Sequence, residues 1–136
     1  MADGAAAIVL SREGRQGGIG LEGLSGGVPF FRRSEAGGSL AAALREMPAG
    51  VRPTRVISSA NGTFVDEAER EAVEAAYGRL PTIYPKVSLG EAFGAGALMQ
   101  MVCAVQCLRR GAGGGAVLVP VVGLNHQASV ALVGKG

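Results

Sequence analysis

Aromatic side chains are scarce in this chain, which has two Tyr, four Phe and no Trp among its 136 residues. Proteins that bind single-stranded nucleic acid stack bases on such side chains and carry clustered positive charge. Here 13 Lys and Arg stand against 11 Asp and Glu, and the basic residues are scattered apart from the pairs Arg32–Arg33 and Arg109–Arg110. We therefore expect no nucleic-acid partner.

Cysteine is rare as well. The two cysteines, Cys103 and Cys107, lie four positions apart in one helical pattern, so they do not make a disulfide framework. We interpret them as buried apolar side chains. The sequence indicates no cofactor and no metal site.

Apolar runs long enough to span a bilayer are missing too. The first apolar run, GAAAIVL at 4–10, is too short to span a bilayer, and no basic segment precedes it. We expect no membrane partner and a cytoplasmic location. The length of the chain fits one domain or a piece of one.

The first half of the chain predicts strands and a short helix. The apolar run 4–10 and the alternating segment 18–27 read as strands joined by the charged turn SREGRQG. Ser39 is a plausible N-cap for a short helix over about 40–47, which Pro48 would end. Residues 55–60, RVISSA, predict a further strand.

The segment ANGTFVDEAE at 60–69 predicts the start of a helix. Asp66 followed three residues later by Glu69 is a capping-box pattern, and the apolar positions from Val65 onward recur at helical spacing. Gly78 stands where a helix-ending glycine belongs. Asn61–Gly62 is by itself a good turn dipeptide.

The second half predicts one long apolar helix and a closing hairpin. Residues 81–86 read as extended, and a helix is expected over 90–111, followed by two apolar strands joined at 123–126, where His126 would lie in the turn. From 93 to 108 only two glutamines are polar. A helix that is apolar all round needs protein on every side. We expect one of its surfaces to meet something outside this chain.

The order of these motifs resembles the C-terminal part of β-ketoacyl synthases of the thiolase fold. That family has His-Gly-Thr-Gly-Thr followed by Asp-x-x-Glu, and then Lys-x-x-x-Gly-His-x-x-Gly-Ala. The matching residues here are Gly62, Thr63, Asp66, Glu69, Lys86, Gly90, Gly94 and Ala95. The resemblance covers residues 1–136 as one C-terminal domain, in which 1–27 resemble the last strands of the family's N-terminal half.

The resemblance implies a thiolase-like α/β fold with a mixed sheet and a buried helix. It also implies an acyltransferase activity, the decarboxylating Claisen condensation of fatty acid or polyketide biosynthesis. The expected partners are acyl carrier protein with its acyl and malonyl thioesters, and a partner chain or N-terminal half of the same fold. That partner would supply the nucleophilic Cys, which this chain lacks, and these enzymes are homodimers by default.

The candidate catalytic residues are those at the family's site positions: Asn61, Lys86, Glu91 and Glu69. Asn61 and Glu91 replace the family's two His residues, while Lys86 and Glu69 resemble an ion pair that orders the catalytic loop. An Asn amide can still donate a hydrogen bond to an enolate oxygen. Glu91 could do so only when protonated, which burial would favour by raising its pKa.

Two kinds of function follow from these replacements. The chain is part of a condensing enzyme, or it is a non-catalytic partner subunit that resembles a chain-length factor. A truncated structural fragment is a third interpretation. Each candidate residue also has a plain structural role, since Asp66 and Glu69 can cap a helix and Glu91 is favoured near a helix start.

Overall fold

The computed structural model describes residues 3–14, 17–92, 94–111 and 114–135, which form a mixed sheet with helices on both faces. The strands are β1 (Ile19–Leu24), β2 (Val28–Pro29), β3 (Pro53–Ile57), β4 (Thr82–Ile83), β5 (Ala116–Val122) and β6 (Gln127–Lys135). The helices are α1 (Ala36–Arg45), α2 (Phe64–Tyr77), α3 (Pro85–Leu89) and α4 (Gly96–Arg109), with a 3₁₀ turn at Arg33–Glu35. The predicted α/β class is confirmed.

The sheet has parallel and antiparallel parts. Its order is β1-β6-β5-β3-β4, with β2 pairing to β6 beyond the end of β1. Strands β3, β4 and β5 run parallel, whereas β6 is antiparallel to β5, β1 and β2. The sheet is therefore mixed, as predicted, and all strands other than β6 point the same way.

Helices cover the two faces of the sheet unequally. On one face α1 and α2 bury Leu40, Val65, Leu118 and Leu132, and on the other α4 packs on Ile57, Val119 and Val133. Successive residues of β5 point to opposite faces, so both of its faces are covered. This explains why its sequence is continuously apolar rather than alternating.

The long apolar helix is shorter and less buried than expected. The sequence predicts a helix over 90–111, with protein on every side of its apolar part at 93–108, of which residue 93 lies outside the described residues. Helix α4 begins only at Gly96 and is buried only along the face that carries Gln100, Ala104, Cys107 and Leu108. Leu98 and Val102 on its other face are 41% and 36% exposed. None of the helices in the described ranges has the length and apolar character needed to cross a bilayer.

The predicted closing hairpin is confirmed. Strands β5 and β6 pair from Val117 with Val133 to Val122 with Ala128, and the chain reverses over residues 123–126. His126 lies in this turn with a φ of 61°. Its ring stacks on Phe30 at a centroid distance of 5.3 Å.

The strand predicted at 4–10 is wrong. These residues form no strand, and Val9 is 95% exposed. Apolar composition favours a strand, but a strand exists only where its backbone groups meet a partner strand. The following prediction, 18–27, is confirmed in part, because β1 occupies Ile19–Leu24.

Three predicted boundaries also need correction. Helix α1 begins at Ala36 after the 3₁₀ turn, and Ser39 lies inside it with its hydroxyl donating to the Pro29 carbonyl at 3.0 Å, so Ser39 is not the N-cap. Strand β3 ends at Ile57 rather than at residue 60. The predicted extended segment 81–86 is extended only at β4, because Pro85 starts α3 as its first residue, where its missing N–H costs nothing.

Candidate functional site

The connections between the parallel strands lead to opposite sides of β3. The chain leaves β3 through α2 on one face to reach β4, and returns through α4 on the other face to β5, which lies on the opposite side of β3. In open α/β sheets, ligands bind beyond the carboxyl ends of the strands at such a point. The loop that follows β3, residues 58–63, lies at this position.

Buried polar side chains close the gap where β3 and β5 end. The Gln100 amide donates to the Ile57 carbonyl at 3.1 Å and to the Pro120 carbonyl at 3.0 Å. The Ser59 hydroxyl accepts a hydrogen bond from the backbone N–H of Val122 at 3.3 Å. The carboxyl edge of the sheet is thus fixed around the loop that carries Asn61.

Asp66 holds this loop from the first turn of α2. Its carboxylate accepts from the backbone N–H of Asn61 at 2.9 Å and of Gly62 at 3.1 Å, and Gly62 has a φ of 81°. The N-cap is Thr63, whose hydroxyl accepts from the Val65 N–H. The predicted capping box of Asp66 with Glu69 is therefore wrong, since Asp66 is the residue that reaches back and Glu69 has other partners.

Lys86, Glu91 and Asn61 meet at a single carboxylate oxygen. The Lys86 Nζ lies 2.8 Å from Glu91 Oε2, and the Asn61 Nδ2 donates to the same oxygen at 3.1 Å. Asn61 Oδ1 in turn accepts from the Thr63 hydroxyl at 2.6 Å. Three of the four predicted site residues are thus brought together from two separate motifs.

Glu91 is held in its ionised form. Burial acts to raise the pKa of this carboxyl, but hydrogen bonds from Lys86 and Asn61, the charge of Lys86 and the Ala92 backbone N–H outweigh it, and the pKa is lowered. A pKa raised by burial, the condition under which Glu91 could donate a hydrogen bond, is therefore not found. The pKa is lowered because the Lys86 ammonium and the Asn61 amide converge on the Glu91 carboxylate.

Glu69 does not pair with Lys86, so the predicted ion pair is wrong. Glu69 is 4% exposed, and its carboxylate accepts hydrogen bonds from the hydroxyls of Ser58 and Ser59 and, at 2.8 Å, from the Ser59 backbone N–H. Burial raises the pKa of Glu69 despite these hydrogen bonds, and the nearby Asp66 adds to the effect. Glu69 ties α2 to the end of β3 and lies behind the Asn61 loop.

Ser58 and Ser59 were missed by sequence reasoning. Their signal was a pair of serines at the end of an apolar strand, directly before the Asn-Gly turn. Hydroxyl groups at such a point are available to a buried carboxylate on the following helix. Which carboxylate these hydroxyls donate to depends on how α2 packs against β3, and the local sequence does not determine that packing.

A cleft of about 940 Å³ runs from this cluster along α2 and the outer edge of β4. Its wall is partly apolar and partly charged. It includes Asn61, Lys86 and Glu91 at one end and Arg70, Glu74 and Arg79 further along. Arg70 pairs with Glu71 and Glu74, and Arg79 also pairs with Glu74, so these two arginines share two carboxylates.

No protein-family model matches this chain, and the search of curated proteins gave no match. The resemblance to β-ketoacyl synthases therefore stays a prediction that rests on the quoted motifs. Within the described ranges, no three His, Cys, Asp or Glu side chains lie close enough together to hold a metal ion. What the site offers chemically is an ion pair, an amide and a cleft.

Proposed function

We propose that this chain is a β-ketoacyl-synthase-like subunit of a condensing enzyme of fatty acid or polyketide biosynthesis, acting with a partner chain that supplies the nucleophilic Cys. Its substrates would be acyl and malonyl thioesters of acyl carrier protein. Two things support this proposal. The strand, helix, long apolar helix and closing hairpin follow one another in the order of the resemblance, and Asn61, Lys86 and Glu91 converge at the carboxyl edge.

The ionised Glu91 bears on whether this subunit takes part in the chemistry. Decarboxylation of a malonyl thioester develops negative charge on a carbonyl oxygen, and preorganised donors must stabilise it. Asn61 and Lys86 have further N–H groups to donate. A carboxylate in contact with both of them repels an enolate, however, and largely offsets what they contribute.

We therefore favour the non-catalytic form of the proposal, in which the subunit supports a catalytic partner as a chain-length factor does. The observation that carries this choice is the shared Glu91 oxygen, which accepts from Lys86 at 2.8 Å and from Asn61 at 3.1 Å. In the catalytic alternative Glu91 would have to be protonated, and its lowered pKa opposes that.

Condensation by this chain together with a ketosynthase chain tests the choice. Glu91→Ala and Asn61→Ala should leave turnover within about twofold of wild type, whereas removal of a catalytic donor costs about a hundredfold. Glu71→Ala is the matched control, because Glu71 is an exposed glutamate on α2 outside the cluster. A hundredfold loss in Glu91→Ala or Asn61→Ala, with the control unaffected, would assign the chemistry to this chain.

A further inference from the structure

Two neighbouring phenylalanines, Phe30 and Phe31, have opposite environments. Phe30 is buried, its N–H donates to the His126 carbonyl at 3.0 Å, and its ring packs edge-on against Phe64 at 6.2 Å. Phe31 is 85% exposed. Because Phe30 is fixed on both its backbone and its ring, the chain presents Phe31 to solvent in a defined position.

The next two residues, Arg32 and Arg33, carry positive charge that the chain does not compensate. Both are exposed, and neither lies within salt-bridge distance of a carboxylate in the part of the chain that the structure describes. The acid nearest in sequence, Glu35, accepts from the backbone N–H groups of Phe31 at 2.9 Å and Arg32 at 3.1 Å. Glu35 thus fixes the backbone of this segment, and among the described residues neither guanidinium group has a carboxylate partner.

The orientation of Arg33 is also restricted. Its guanidinium lies over the Phe64 ring, 5.5 Å from the centroid. Since Phe64 is the first residue of α2, Arg33 lies beside the loop that carries Asn61. Strand β2 runs parallel to β5, so the segment that follows it emerges at the same edge of the sheet as the cleft.

We propose that Phe31, Arg32 and Arg33, the Phe31 patch, form a docking surface for an acidic polypeptide that presents an apolar side chain among carboxylates. An exposed aromatic ring flanked by cations on a held backbone is the arrangement expected of an interface anchor, because little conformational freedom is lost on binding. Complementary charge steers such a partner. The inference does not depend on what the cleft does.

The size of the patch favours a polypeptide over an anionic membrane. Electrostatic membrane binding uses clusters of about four to eight Lys and Arg, usually with a broad apolar face. The patch has two arginines and one large apolar side chain. Such a surface matches a few carboxylates and one apolar contact.

Fluorescence anisotropy with a labelled synthetic peptide tests the charges. The probe is an amphipathic helix with glutamates around a central leucine, and vesicles of phosphatidylcholine with phosphatidylserine serve as the competing surface. Arg32→Gln/Arg33→Gln should weaken peptide binding about tenfold, as expected for the loss of two charged contacts. Arg109→Gln/Arg110→Gln is the matched control, because that exposed pair follows the buried Leu108 and gives the same change in net charge.

A second pair of variants tests the apolar anchor. Phe31→Ser should weaken peptide binding about tenfold, while Val9→Ser, at a site that is 95% exposed, should not. Both should keep the thermal unfolding midpoint of wild type, since neither side chain is buried. Equal losses in both arginine pairs, no binding of the peptide by wild type, or binding to the vesicles alone would each overturn the proposal.

Discussion

The Nζ of Lys86 lies 2.8 Å from Oε2 of Glu91, across a turn in which Gly90 adopts a φ of 77°. Both side chains are largely shielded from solvent, and Asn61 donates to the same oxygen from the loop after β3. The shared oxygen joins the loop after β3 to helix α3 and to the turn that follows α3. It gives the carboxyl edge of the sheet a fixed, charged centre.

Replacing Lys86 should remove a hydrogen bond and a positive charge that lower the pKa of Glu91. In Lys86→Met the pKa of Glu91 should rise, because burial then acts against fewer stabilising contacts. An NMR titration of the Glu91 side-chain carbon measures this. Arg70→Met is the control, since Arg70 pairs with Glu71 and Glu74 on the outside of α2 and should leave the Glu91 pKa unchanged.

The same contact predicts a dependence of stability on pH. The folded pKa of Glu91 lies below its ordinary value of 4.5, so its contribution is present above pH 4.5 and is lost as the pH falls through the folded pKa. Urea unfolding at a series of pH values should show this loss in wild type and a smaller one in Lys86→Met. An identical pH dependence in both proteins would mean that Lys86 does not stabilise the carboxylate.

Glu69 should have the opposite pH dependence. The pKa of Glu69 in the folded state is raised above the ordinary 4.5, so the folded state holds this proton more tightly than the unfolded state does. Glu69 therefore lowers the stability of the fold as the pH rises from 4.5 through its folded pKa. Glu69→Gln is uncharged at every pH. Its free energy of unfolding should therefore increase relative to wild type as the pH is raised from below 4.5. A difference that does not change with pH would contradict a raised pKa.

Local patterns predicted the elements of this fold better than their contacts. The helix from Phe64 and the hairpin at 123–126 follow from apolar spacing and turn residues, which act over a few positions. The strand predicted at 4–10 is wrong because an apolar composition does not show whether a partner strand is available to pair with it. The prediction that Lys86 pairs with Glu69 is wrong because packing brings Ser58 and Ser59, at the end of β3, to the Glu69 carboxylate. Lys86 pairs instead with Glu91, which is only five residues away in the sequence.

The cluster and the buried carboxylate should differ in their effect on stability. Asn61→Ala and Glu91→Ala each remove partly exposed hydrogen bonds and should cost about 1 kcal/mol. Glu69→Ala leaves Ser58 and Ser59 unpaired in the interior and should cost about 2–4 kcal/mol. Chemical denaturation of the three variants checks the order, and a Glu69→Ala protein as stable as the other two would contradict it.

The outer face of α4 should promote association. Leu98 and Val102 are partly exposed there, and contiguous exposed apolar surface marks interfaces. Leu98→Ser/Val102→Ser should reduce self-association without loss of helix content by circular dichroism. Leu21→Ser, at a similarly exposed residue of β1, is the control and should leave association unchanged.

Sedimentation velocity of the purified chain, alone and mixed with a ketosynthase chain that carries the nucleophilic Cys, tests the central claim most directly. The claim is that this chain functions only together with a partner. We expect self-association or aggregation of the chain alone, and a complex of defined stoichiometry in the mixture. A stable monomer at micromolar concentration that sediments independently of the ketosynthase chain would contradict the account.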